Sequence, residues 1–254
     1  MKDTSLHYFA SPGHLPLSAD EVHALLSNGS VDVEGLLPWS SNYTFLVIVT
    51  LSDQKAMAVY KPCKGERPLW DFPSGTLAAR EVAAFVVSAA LNWHIVPPTV
   101  LRDGPHGKGM LQLYIEADPE EHYFTFSAEF PDQLRRMALF DLLVNNADRK
   151  AGHCLRDLHD QIWAIDHGIC FHVDPKLRTV IWDFAGQPIP PELLRNLHDF
   201  REQLCRAADP IRKQLGKLLA KDEIEALQNR AERLIRVGRF PKPGGQRHIP
   251  WPPV

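Results

Sequence analysis

The sequence has no apolar run close to the ~20 residues that a membrane-crossing helix requires. Its opening residues, MKDTSLHYFASPG, contain no apolar stretch of the kind a secretory leader carries. The expectation is a soluble chain with no leader and no integral membrane association. A basic excess is also missing: 28 Lys+Arg stand against 31 Asp+Glu, for a formal charge of -3, which argues against a dedicated nucleic-acid binder. Cysteine is sparse. Cys63, Cys154, Cys170 and Cys205 form no CxxC pair and match no structural zinc spacing, so reduced thiols in a cytoplasmic protein are expected. The 12 histidines include no H-E-x-x-H helix, which leaves a metallohydrolase built on His153, His167 and His172 without a motif. There are no internal repeats. At 44% hydrophobic and 23% charged, the composition excludes wholesale disorder.

What is present is an α+β pattern in two lobes. Ser18-Ala19-Asp20-Glu21 reads as a capping box opening a helix that ends near Asn28-Gly29. Residues 31–37, 44–51 and 56–61 have strand texture, with a tight turn at Ser52-Asp53. An Ala-rich helix is expected over 77–91, apolar on more than one face and therefore largely buried. Strands at 99–102 and 110–115 flank a glycine-rich turn over 103–109. Beyond a connector near 116–121 the chain turns mainly helical. Pro131 opens a helix to about Val144, short strands fall near 154–156 and 162–165, and helices fill 192–238 with breaks at Pro210 and 219–222. The expected units are 1–115, 116–240 and a tail, 241–254, where five of the 21 prolines fall. Such a tail is extended, since proline continues neither a helix nor an inner strand.

Four elements gain meaning from their order. Lys61 ends the β-rich run Ala58-Val59-Tyr60-Lys61, and Glu81 lies on the buried helix 20 positions later. Asn146-Ala147-Asp148-Arg149-Lys150 is a polar loop directly after an apolar helix. Trp163-Ala164-Ile165-Asp166-His167-Gly168 carries an aspartate off a hydrophobic strand, 18 residues beyond Asp148. Phosphoryl transfer needs these parts. A lysine held by a helical carboxylate meets the α/β-phosphates, as Lys61 and Glu81 could. A carboxylate such as Asp166 suits a hard divalent cation. A further carboxylate, Asp148, would receive the acceptor's proton, and Lys150 would offset charge on the transferring group. Each element alone also has a plain structural explanation: a solvated strand end, a water-facing Glu81, an Asp148-Arg149 ion pair, a hairpin turn. Arg230, Arg233, Arg236 and Arg239 read as a solvated basic face, with a dock for an acidic partner or anionic lipid as the alternative.

At these positions the sequence resembles the phosphatidylinositol 3-/4-kinase-related branch of the protein-kinase-like superfamily. The closest echo is the type II phosphatidylinositol 4-kinases and bacterial relatives of unassigned substrate. The matching text is Val59-Tyr60-Lys61-Pro62, Ala79-Arg80-Glu81-Val82, Val96-Pro97-Pro98-Thr99, Leu111-Gln112-Leu113-Tyr114-Ile115-Glu116, Asp141 through Arg149, and Ile165-Asp166-His167-Gly168. The resemblance implies a bilobal kinase-like fold and a kinase using ATP with Mg²⁺ or Mn²⁺. It implies that Tyr114, Ile115 and Glu116 form the hinge whose backbone bonds adenine. It also implies that residues 38–43 cover the phosphates, with Ser40, Ser41 and Asn42 as the contacts.

Two departures stand out. The place five residues after Asp148, where the family carries a metal-binding asparagine, is His153. Imidazole is a poor ligand for Mg²⁺ and better suited to softer divalent ions. The phosphate loop that the resemblance implies has no glycine, though Ser40, Ser41 and Asn42 could still turn backbone N–H groups and side chains toward a phosphate. The cysteine cluster that marks the type II lipid kinases is absent, which favours a protein or small-molecule acceptor over an inositol lipid. A nucleotide-binding pseudokinase, acting as a switch or scaffold, is the alternative that His153 and the loop support. Transfer of AMP in place of phosphate is a third.

Overall fold

The computed structural model describes residues 7–8, 17–37, 43–244 and 247–254; Ser40, Ser41 and Asn42 lie outside them. Two compact units emerge, residues 1–82 with 97–116, and residues 83–96 with 117–254.

The first unit is a five-stranded antiparallel sheet with two helical segments. Short strands β1 (His7–Tyr8) and β2 (Leu17–Ser18) pair ahead of helix α1 (Ala19–Asn28). The Ser18 hydroxyl accepts from the Glu21 N–H while the Glu21 carboxylate takes the Ser18 N–H at 2.8 Å, the reciprocal bonding that the sequence pattern implies. β3 (Ser30–Leu36), β4 (Phe45–Leu51), β5 (Gln54–Pro62), β6 (Thr99–Gly104) and β7 (Gly107–Leu113) follow, in the sheet order β3-β4-β5-β7-β6. Alternation sets the faces. Ala56, Ala58 and Tyr60 of β5 are buried, as are Val47 and Val49 of β4, so Lys61, one step beyond Tyr60, projects from the opposite side. Helix α2 (Leu77–Ala90) begins in this unit, and its residues 83–90 belong to the second.

The β6–β7 hairpin differs from its expected form. The ladder continues to Gly104↔Gly107, narrowing the turn expected over 103–109 to Pro105-His106. Glycine serves here for close approach. A Cβ on Gly109 would stand 2.4 Å from the Lys61 carbonyl oxygen, so only glycine lets β7 pair with β5 at that point.

The second unit is mainly helical. It contains α3 (Tyr123–Phe126), α4 (Pro131–Val144), the hairpin β8 (Cys154–Arg156) and β9 (Ile162–Ala164), then α5 (Pro191–Cys205), α6 (Pro210–Leu215) and α7 (Lys221–Val237). α4 starts with proline in its first turn and ends where Asn145 enters the left-handed region, at φ 57°. Leu134, Met137, Leu139, Phe140 and Leu143 form its buried face. The short helix α3 follows the expected connector without a sequence signal. Arg230 departs from the expected solvated face. Its guanidinium donates to the Leu143 carbonyl at 2.8 Å and to the His172 carbonyl at 3.2 Å, and burial pushes its pKa down to about 10. Arg233, Arg236 and Arg239 remain exposed. The described part of the Pro-rich tail lies against this unit: His248 O accepts from Thr179 N–H, and Pro253 O from Ala151 N–H.

Candidate active site

In the first unit, Lys61 Nζ and Glu81 Oε1 stand 2.8 Å apart. Glu81 is 2% exposed and Lys61 20%, so the carboxylate is sunk in the structure while the ammonium keeps an outlet. Sheet and helix cooperate to make this pair. The β5 register with β7 sets Lys61 opposite Met110, and α2 carries Glu81 one turn in from its start. Tyr114 leaves β7 with its N–H already bonded to the Met57 carbonyl at 3.0 Å. Of the expected hinge, Ile115 and Glu116 therefore hold the backbone groups beyond the strand's ladder.

In the second unit the loop after α4 brings Asp148, Lys150 and His153 together, and the β8–β9 hairpin adds Asp166. The register Cys154↔Ala164, extended by Ile165 N–H to His153 O at 3.1 Å, sets His153 beside the chain leaving β9. His153 Nε2 lies 3.4 Å from Asp166 Oδ2, and its Nδ1 is 3.0 Å from the Asp148 carbonyl oxygen. Lys150 Nζ lies 3.8 Å from Asp148 Oδ2. Asp166 sits in the left-handed region at φ 61°, which aspartate tolerates better than most side chains. Burial pushes the Asp148 carboxyl up, Lys150 pulls against it and Asp166 reinforces it, leaving the group at about 6.

Beneath these loops is a buried network centred on Arg149. Arg149 does not pair with Asp148. Its Nε and Nη2 fork onto Asp141 on α4, and neither side chain has any exposed surface. Arg149 Nη1 donates to the carbonyls of His153 and Ile165, and Nη2 contacts His167 Nε2 at 2.6 Å. Burial works against the Arg149 charge, but the Asp141 carboxylate outweighs it and holds the guanidinium above its usual value. Asp141 also accepts from Asn146 Nδ2 and Thr179 Oγ1. One buried ion pair thus fixes both the loop of Asp148 and the loop of Asp166. Its signal in the sequence is a lone carboxylate in the apolar run Leu139-Phe140-Asp141-Leu142-Leu143.

His153 Nε2 and Asp166 Oδ2 are spaced so that they could share a divalent cation. Two ligand atoms sharing a cation with ~2.1 Å bonds stand about 3.0–3.4 Å apart, depending on the bond angle, which matches His153 Nε2 and Asp166 Oδ2. No group of three His, Cys, Asp or Glu gathers for a metal among the described residues, so any further ligands would be substrate oxygens or water.

The fold is that of the protein-kinase-like class. Similar solved structures are the Golgi casein kinase with Mn/ADP bound (TM-score 0.55, 14% identity, 86% of this chain and 74% of that one) and the Helicobacter pylori proinflammatory kinase CtkA (TM-score 0.50, 11% identity, 84% and 94%). Hydra Fam20 with sugar is similar at TM-score 0.51 and 14% identity, over 85% of this chain and 86% of that one. At these identities the likeness concerns the fold. The chain belongs to the family of Protein Rv2133c from Mycobacterium tuberculosis, with 41% identity over 268 residues, covering 92% of this chain and 95% of that protein. It is also similar to phosphatidylinositol 4-kinase gamma 4 of Oryza sativa subsp. japonica, 28% identical over 140 residues, covering 46% of this chain and 25% of that protein. No family model matches the chain. No helix among the described residues is long and apolar enough to cross a membrane.

Proposed function

We propose that the protein is an ATP-dependent phosphotransferase of the phosphatidylinositol 3-/4-kinase-related branch, moving the γ-phosphoryl group to a hydroxyl. The observation that carries this reading is the Lys61–Glu81 pair, an ammonium held at 2.8 Å by a carboxylate that is 2% exposed. A buried carboxylate fixes the ammonium's position, and a fixed cation stabilises phosphate charge without reorganising during the reaction. The likeness to the rice lipid kinase and to the Golgi casein kinase with Mn/ADP bound supports the same class.

In this assignment Lys61 contacts the phosphates and Glu81 orients it. Ile115 and Glu116 offer backbone to adenine, with Tyr114 shaping the strand end. Asp148, at about 6, is ionised at neutral pH and accepts the hydroxyl proton. Asp166 and His153 would hold Mg²⁺ or Mn²⁺, which, when bound, offsets charge on the phosphate oxygens. Lys150 lies over the transferring group, and Ser40, Ser41 and Asn42 serve the phosphates. Protein hydroxyls and small alcohols are favoured as acceptors over inositol lipid.

The test is metal-dependent release of product from γ-labelled ATP by the purified protein, beside its Asp166→Asn variant. Turnover in the parent that disappears in the variant upholds the reading; equal turnover in both sinks the assignment of Asp166. A pseudokinase is the second reading, favoured by His153 in the asparagine's place. It would show strong thermal stabilisation by ATP with no turnover in either Mg²⁺ or Mn²⁺. Label from α-labelled ATP ending on protein would indicate AMP transfer instead.

A further inference from the structure

Ala151, directly after Lys150, has no exposed surface, so its N–H cannot turn to water. Its partner is the carbonyl of Pro253, at 2.8 Å. Five residues earlier in the tail, His248 O accepts from Thr179 N–H at 3.0 Å and from Trp182 Nε1 at 3.2 Å, with its ring edge-on to Trp182. Segment 178–180 is in turn laced to the Asp148 loop. Arg178 N–H donates to Asn146 O at 2.8 Å, Arg149 N–H to Arg178 O at 3.0 Å and Val180 N–H to Arg149 O at 3.1 Å, while Thr179 Oγ1 reaches Asp141. The tail therefore grips the Asp148 loop twice, directly at Ala151 and through Thr179.

The composition of the tail suits this task. Pro250, Pro252 and Pro253 carry no N–H, so these positions add no backbone donor to be satisfied, and Pro253 supplies the carbonyl that the Ala151 N–H meets. Proline also restricts the unbound tail, so less conformational entropy is lost when it docks.

We propose that residues 247–254 are a backbone clamp that positions the Asp148 loop. The catalytic part of this inference rests on the phosphotransferase reading; the clamping of the loop does not. The tail meets Ala151, Thr179 and Trp182 through backbone carbonyls, so it acts on the rate through loop geometry.

The experiment compares the full chain with a version ending at Gln246, and with the full chain carrying Trp182→Phe, which removes the indole donor to His248 and keeps an aromatic ring at that position. Hydrogen exchange at the Ala151 and Thr179 amides is read beside kcat and ATP KM in metal-dependent turnover. In the shortened protein both amides should exchange about tenfold faster or more, and kcat should fall about tenfold at unchanged ATP KM. A synthetic peptide of residues 247–254 added in trans should restore both. Unchanged protection of the two amides overturns the proposal, and so does accelerated exchange across the whole second unit that the peptide fails to reverse. If the shortened chain does not fold, Trp182→Phe decides by the same criteria at Thr179 and in kcat. If the full chain shows no turnover, the phosphotransferase reading fails alone, and amide exchange with peptide rescue still upholds or overturns the clamp.

Discussion

Arg149 and Asp141 form an ion pair at 3.0 Å in which neither side chain has any contact with solvent. Removing one member of such a pair strands the other charge in a low-dielectric interior, a far larger penalty than losing a surface pair. Asp141→Ala should therefore cost about 3–5 kcal/mol in chemical denaturation. Arg149→Lys keeps the charge but loses the fork and the contacts to His153 and Ile165, and should also be clearly destabilised. Near-parental stability in both variants would mean the pair does not support the loops.

Lys61→Met and Glu81→Gln test the pair in the first unit. Each should lower turnover by about 10²–10³-fold, with the circular dichroism spectrum of the parent retained. Glu81→Gln keeps the volume and a hydrogen-bonding oxygen, so its loss reports the carboxylate's hold on the ammonium.

Asp148 gives two pH signatures. As the proton acceptor it must be ionised, so turnover should fall as pH drops through about 6. Its carboxyl lies above the usual 3.8, so the folded state binds this proton more tightly than the unfolded chain does. The stability it contributes is then full below about 3.8 and is lost as pH rises through about 6. Asp148→Asn should raise the melting temperature at pH 8 in chelator, with the gain shrinking toward pH 4, while turnover is abolished. A gain that grows with acidity would reverse the sign and refute the raised value.

His153→Asn exchanges an imidazole nitrogen for a neutral amide. The ratio of Mg²⁺- to Mn²⁺-supported turnover should rise, on the order of tenfold, because amide oxygen suits the harder ion. An unchanged ratio would place His153 outside the metal's coordination.

Elements with local punctuation were legible in the sequence. Ser18 with Glu21 marked the start of α1, Pro131 the start of α4, and Pro210 the break before α6. The sequence left Glu81 either facing water or holding Lys61, the latter on what phosphoryl transfer needs of a lysine, and the two stand 2.8 Å apart. Elsewhere the deciding contacts lie far apart in the sequence. Gly104, Gly107 and Gly109 suggest a turn seven residues long until β5 is seen to press against Gly109. Arg149 adjoins Asp148 in sequence, yet its guanidinium turns to Asp141, eight positions back. Arg230 repeats with Arg233 and Arg236 as a surface stripe would, and only the end of α4 at Leu143 explains its burial.

The left-handed backbone at Asp166 decides which substitution there is informative. Alanine would alter two variables together, removing an anion and placing a residue ill suited to positive φ at the exit from β9. Asparagine settles into the same torsions readily and changes charge alone, so any difference it produces belongs to electrostatics. Glycine is the complementary control: it relaxes the torsional demand and discards the side chain, and comparing the two separates conformation from chemistry.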